Sequence, residues 1–137
     1  MAATTDPHAQ DTVDAELDAL ITRFVSAIAQ GDVATVRAIY APDAAIWHNF
    51  DEKDQSVDDN VATLADLHRR ATDLRYTDIC RYPSPGGLIE QHVLQCTSKS
   101  GAAVRIPAMI RFWVADGRIT RLEEYLDTRQ ALALYTG

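Results

Sequence analysis

The second half of the chain constrains its fold most. Four β-rich runs follow one another, Leu74–Tyr82, Leu88–Thr97, Ala103–Val114 and Ile119–Leu126, separated only by short polar turns. The turns are Ser84-Pro85-Gly86-Gly87, Ser98-Lys99-Ser100-Gly101 and Ala115-Asp116-Gly117-Arg118. Connections this short join antiparallel neighbours, and Asp-Gly suits a hairpin because it tolerates positive φ. The first three runs span nine to twelve residues, against about five or six in an ordinary strand. Long strands twist and curl. A curled sheet with helices on one face makes a cone with a closed end, a shape in which a short chain can still hold a ligand.

The first half supplies the helices. Val13, Leu17, Leu20, Ile21, Phe24, Val25 and Ile28 fall at helical spacing, which predicts a helix over Thr12–Gln30. Gly31 fits its C′ position, and Asp32 can cap a shorter helix over Val33–Tyr40. Ala41-Pro42 stops that helix. A strand containing Ala44-Ala45-Ile46 follows, then a polar loop over Glu52–Gln55. Ser56-Val57-Asp58-Asp59 resembles a capping box and opens a third helix running to about Ala71. Thr128–Leu134 can form a terminal helical turn. Helices first and antiparallel strands afterwards define an α+β fold, a strongly curved sheet packed against about three N-terminal helices.

The 137 residues are enough for one core without disulfide or metal staples. Residues 1–11 read as a disordered tail and 12–137 as a single domain. The formal net charge of −7 provides no electrostatic footprint for nucleic acid or an anionic membrane. The N-terminus lacks the basic and apolar segments of a signal peptide, and no apolar run is long enough to cross a bilayer. A soluble cytoplasmic protein is the expectation. Cys80 and Cys96 read as small apolar core residues, since free cysteine packs as a hydrophobe and the chain has no zinc-type spacing.

Trp47-His48-Asn49-Phe50-Asp51 carries the chemistry. Alternate side chains of a strand share a face, so this run can aim polar groups into an apolar interior. His48 is the sharpest acid–base candidate, because imidazole titrates near neutral pH; the bland alternative is a structural histidine bonded to backbone. If Trp47 and Asn49 face inward, regular alternation turns His48 away unless a bulge intervenes. Asp51 either orients His48 or closes an Asx turn. Glu90 and His92 form a polar pair on a mostly apolar run, suited to a cavity or a dimer face.

The order of elements, with Ala29-Gln30-Gly31-Asp32, Ala41-Pro42-Asp43-Ala44, Trp47-His48-Asn49, Gln91-His92-Val93-Leu94, Asp116-Gly117-Arg118-Ile119 and Glu124-Tyr125-Leu126-Asp127, resembles the nuclear transport factor-2-like superfamily. Within it the chain is similar to the SnoaL-like group of polyketide cyclases, limonene epoxide hydrolases and ketosteroid isomerase relatives, over about Val13–Leu134. The resemblance implies a cone-shaped α+β barrel and a fold that hosts many reactions. Against the epoxide hydrolases, Asn49 and Asp127 match two of the three water-holding residues and Trp47 replaces the tyrosine. The central Arg-x-Asp pair is matched by Glu90-Gln91-His92, so its cation is missing. Against the isomerases, the oxyanion-hole tyrosine falls at Phe24 and Met109–Phe112 offers no aspartate. The cyclases ask for one acid–base aspartate at the end of the last strand, which Asp127 matches, although Asp127 is equally placed to cap the terminal helix.

The resemblance and the residues together lead to a candidate set. His48, Asp127 and His92 would be catalytic; Trp47, Asn49, Asp51, Tyr125 and Glu90 would contact substrate. Tyr125 shares the parity of Asp127. No cofactor and no metal is called for, and the partner expected is a small apolar organic molecule. Arg105, Pro107, Met109, Arg111 and Trp113 share one strand face and suit a homodimer interface. His8 and His68 read as solvent-facing. The alternatives to an enzyme are a ligand-binding module or a dimerisation domain of the same fold.

Overall fold

The computed structural model describes residues 12–136, so the tail and His8 lie outside the described residues. Helix α1 spans Ala15–Gln30, with the Asp14 carboxylate accepting from the Leu17 N–H at its start. Gly31 ends it in the left-handed region at φ 72°, and its N–H returns to the Ala27 and Ile28 carbonyls. Asp32 caps α2, Val33–Ile39, through the Thr35 N–H, and Ser56 caps α3, Val57–Arg70, through the Asp59 N–H. Each of these caps falls where side-chain oxygens and the orphan amides of a first turn predict it.

The strands are β1 Tyr40–His48, β2 Asp54–Gln55, β3 Ala71–Ser84, β4 Gly87–Ser98, β5 Ala103–Ala115 and β6 Arg118–Leu126. They form one curved, open sheet in the order β2-β1-β6-β5-β4-β3. From β3 to β6 every neighbour is antiparallel, as the short turns require. β1 is different: it joins β6 in parallel. Parallel pairing needs a long connection, and α3 together with the whole meander supplies it. β2 is a two-residue strand paired with Ile46 and Trp47, inside the segment expected to be a loop. At the other edge, β3 shifts register twice, and Asp73 and Asp78 take φ of 57° and 56° at the shifts. Such bulges twist an edge strand and blunt it against further pairing. Helix α4, Thr128–Thr136, packs on the sheet beside β5.

Two apolar clusters hold these elements together. The larger joins Ile21, Phe24, Val36, Ile39, Leu88, Phe112 and Ile119. Phe24 meets Tyr40 and Phe112 edge-on, with ring centroids 5.3 and 5.8 Å apart. Burying each such side chain contributes about 1.5–3 kcal/mol. The smaller cluster, Ala71, Cys96, Val104, Ile106 and Leu134, lies toward the far ends of β4 and β5 and docks α4. Between the two clusters the sheet and helices leave a cavity. Among the described residues no helix is long and apolar enough to cross a membrane.

Candidate active site

The cavity measures about 410 Å³ and is bounded by α1, α3, α4 and the inner face of the sheet. That volume falls toward the small end of the roughly 300–1,000 Å³ usual for small-molecule sites. Its walls are mainly aliphatic, with Ile46, Ile110, Leu122, Leu94 and Ile106 from the strands. His48, Glu124, His92, Tyr76 and Tyr40 bring polar atoms to it.

Strand alternation decides which half of the Trp47–Asp51 cluster takes part. Ala44, Ile46 and His48 are buried on the inner face of β1. Trp47 points the other way and packs on Tyr125, ring centroids 5.2 Å apart, on the outer face. No bulge interrupts the motif; the irregularity in β1 lies earlier, between Tyr40 and Ala45. His48 thus enters the cavity and Trp47 and Asn49 stay out of it, the reverse of the inward Trp47 and Asn49 weighed from the sequence.

Glu124 stands opposite His48 in the β1–β6 ladder, and its Oε1 lies 3.2 Å from His48 Nε2. His48 Nδ1 is buried and has no hydrogen-bond partner among the described residues. A neutral imidazole has one donor and one acceptor nitrogen. With Nε2–H turned to the Glu124 carboxylate, Nδ1 is left as the proton acceptor. Phe50 stacks on the ring at 5.1 Å and fixes its plane.

His92 enters from β4. Its Nδ1 lies 2.5 Å from Glu90 Oε2, and the other oxygen of Glu90 accepts from Arg81 Nε at 2.7 Å. Glu90 is fully buried. Arg81 is opposite Glu90 on β3 and reaches α1, where its Nη1 donates to the Asp18 carboxylate, the Asp18 carbonyl and the Thr22 hydroxyl at 2.9, 3.0 and 2.6 Å. A buried carboxylate is tolerable only when paired and hydrogen-bonded, and Arg81 does both. Arg81 thus brings a guanidinium to the Glu90-Gln91-His92 triplet from the neighbouring strand. His92 is held with Nε2 as its second ring nitrogen for the cavity, and its ring meets that of Tyr76 edge-on at 4.7 Å.

The phenols Tyr40 and Tyr76 also line the cavity. Tyr40 donates to Asn60 Oδ1 at 2.9 Å, whereas the Tyr76 hydroxyl has no partner among the described residues. Burial pushes both phenols far above the ordinary tyrosine range, and the Glu124 charge adds to the effect on each. Both stay protonated, and the Tyr76 O–H is available as a donor.

The remaining sequence candidates lie outside the cavity. Asn49 closes the β1–β6 edge: its Oδ1 accepts from the Leu126 N–H at 3.1 Å and its Nδ2 donates to the Leu126 carbonyl at 3.3 Å. Asp51 closes an Asx turn by accepting from the Lys53 N–H. Asp127 caps α4, accepting from the Gln130 N–H at 3.2 Å, and with Tyr125 it borders a shallow groove on the outer face. Leu122, Glu124 and Leu126 take the inward positions of β6, so the parity chosen around Asp127 selected the outward set. The apolar flanks Leu122 and Leu126 were the signal that could have found Glu124. Tyr76 was masked by the register shift after Thr77. His68 is also not solvent-facing; its Nε2 sits 2.6 Å from the Ile28 carbonyl and its ring packs on Gly31.

Comparison with known proteins agrees with this architecture. No curated protein matches the chain in sequence. A protein provisionally assigned as a polyketide cyclase from Xanthomonas campestris superposes with TM-score 0.76 at 19% identity, covering 88% of this chain and 97% of that one. An NTF2-like protein of unknown function from Burkholderia pseudomallei gives 0.77 at 16% identity, with 90% and 100% covered. An LEH-like epoxide hydrolase from M. tuberculosis gives 0.69 at 18% identity, with 87% and 88% covered. Likeness at such identities establishes the fold. The family model for the SnoaL-like domain matches residues 21–122, from buried Ile21 within α1 to the Leu122 wall of the cavity. By that match over most of its length and by its curved sheet and enclosed cavity, this chain belongs to the SnoaL-like domain family.

Proposed function

We propose that the protein is an acid–base enzyme, independent of any cofactor, that acts on a small, mostly apolar organic molecule. The reaction would be of the isomerase, cyclase or hydrolase type. The observation that carries this reading is the pair of imidazole–carboxylate couples, His48–Glu124 and His92–Glu90, whose imidazoles both enter one apolar cavity. His48, with Nδ1 unpartnered, is the proton acceptor. His92, oriented by Glu90 and Arg81, faces the same space as the second proton-transfer group, and Tyr76 donates a hydrogen bond to a ligand oxygen. A hydrophobic enclosure strengthens each of these interactions. Asp127, the aspartate favoured by resemblance, is left as a helix cap.

The test is hydrogen exchange at carbon. The protein is incubated with dibutyl ketone in deuterium oxide, and loss of the α-proton signal is followed by NMR. Wild type should exchange above the buffer rate, and His48→Gln should slow it by roughly 10²–10⁴-fold, the range of a positioned base. Exchange at the buffer rate, with the ketone shown to bind, would instead favour a non-catalytic ligand-binding module.

A homodimer through the outer sheet face forms part of the proposal. Tyr82, Met109 and Tyr125 are large, exposed side chains on that face, and Arg111 lies over Trp113 there at 4.2 Å. Sedimentation should show a dimer that Met109→Glu converts to a monomer.

A further inference from the structure

The inner face of the sheet is organised in rows. Ile46, Leu122, Phe112 and Leu88 stand opposite one another on β1, β6, β5 and β4. Two residues further along each strand comes His48, Glu124, Ile110 and Glu90, with Arg81 closing the row on β3. Leu126, Ala108 and His92 form the next row, and Ile106, Leu94 and Tyr76 the one after. Successive rows are roughly 7 Å apart along a strand. The ionisable groups that reach the cavity, His48, Glu124 and His92, thus form a belt two rows wide, with the apolar surface of Ile46 and Leu122 before it and of Ile106 and Leu94 after it. Toward α4 that surface continues to the rim, where Phe50, Leu132 and Tyr135 are half exposed.

Charge along the belt is also one-sided. Arg81 is engaged by Glu90 and Asp18. Glu124 has an imidazole beside it and no guanidinium or ammonium among the residues that line the cavity. A ligand carboxylate brought into this space would meet Glu124 in a low dielectric with no cation free to receive it. Burying such an unpaired charge is strongly unfavourable. An uncharged oxygen, by contrast, can accept from Tyr76 or from an imidazole N–H.

We infer that the cavity selects uncharged, hydrocarbon-rich molecules whose oxygen function lies within the skeleton, with apolar groups on both sides, and that it rejects carboxylic acids. The inference rests on the reading of this cavity as the ligand site. Among nine-carbon probes, dibutyl ketone places its carbonyl between two apolar arms. Its isomer methyl heptyl ketone has the carbonyl near one end, and nonanoate ends in a charge.

Calorimetric titration with the three probes at mildly alkaline pH tests it. Dibutyl ketone should bind several-fold more tightly than methyl heptyl ketone and at least tenfold more tightly than nonanoate. Glu124→Gln should narrow the gap between ketone and carboxylate. Equal binding of the two ketones, or nonanoate binding as tightly as either, overturns the selectivity while leaving the cavity as ligand site. Failure of every probe to bind wild type, or binding unchanged in a folded Ala108→Phe variant, overturns the ligand site and this inference with it.

Discussion

His48 on β1 and Glu124 on β6 face each other across the parallel junction of the sheet, and Nε2 of one lies 3.2 Å from Oε1 of the other. The two residues are far apart in sequence and meet only because the last strand of the meander, β6, lies beside β1. The carboxylate orients the imidazole, so the nitrogen turned away from it becomes the basic one. This division of the two ring nitrogens follows from the carboxylate that stands beside one of them.

Replacing that neighbour should separate orientation from basicity. Glu124→Gln keeps the shape and loses the charge. Ketone exchange should fall by about 10²-fold or more, with the fold intact by circular dichroism. In the same variant both Tyr40 and Tyr76 should ionise at lower pH than in wild type, because Glu124 adds to the upward push on each phenol.

The Arg81–Glu90 pair should show the asymmetry of buried charges. Arg81→Met leaves the fully buried Glu90 beside His92, with no guanidinium bonded to it among the described residues. Losing one partner of such a pair costs about 3–5 kcal/mol. Adding Glu90→Gln to the same variant should recover part of that loss. Urea unfolding of the two single variants and the double variant gives the coupling.

Asp127 separates capping from catalysis. Asp127→Ala removes the acceptor for the Gln130 N–H and should cost about 1 kcal/mol, the usual worth of an N-cap. Ketone exchange should continue at the wild-type rate. A loss of exchange without loss of stability would return Asp127 to the chemistry.

Stability should fall at alkaline pH. Both buried phenols have pKa values raised in the folded state. Their contribution is therefore complete below the unfolded tyrosine value, near 10, and is lost as pH rises above it. The two phenols alone should lower unfolding free energy by about 2.7 kcal/mol per pH unit above about pH 10. Urea midpoints measured across that range check the slope.

The thiols should differ in reactivity. Burial pushes the Cys96 thiol up, and Cys96 is packed in the smaller core cluster, whereas Cys80 lies in an open groove beside α1. Native alkylation followed by mass spectrometry should modify Cys80 first.

Much of the fold was legible in the chain. The periodicity of α1, the Asp32 and Ser56 caps, the Gly31 stop and the Asp116-Gly117 turn are local events, fixed by residues within a few positions of one another. The interior placement of His92 was legible too, since an ionisable side chain in an apolar run has few places to go. The parity of β1 and β6 was harder to read. Trp47 and Tyr125 are as greasy as any core residue, but they satisfy each other on the outer face instead of the inner.

The sequence by itself determined the elements, their order, the antiparallel meander and the presence of polar groups on apolar strands, because each depends on local conformation and alternation. Tertiary structure alone decided which polar groups act together. Glu124 joins His48 through a parallel pairing that spans most of the chain, and Arg81 reaches Glu90 through strand register. Asn49, Asp51 and Asp127 were meanwhile taken up by backbone amides and carbonyls. A side chain's partner is set by register and by competition for hydrogen bonds, and neither is encoded within a short stretch of sequence.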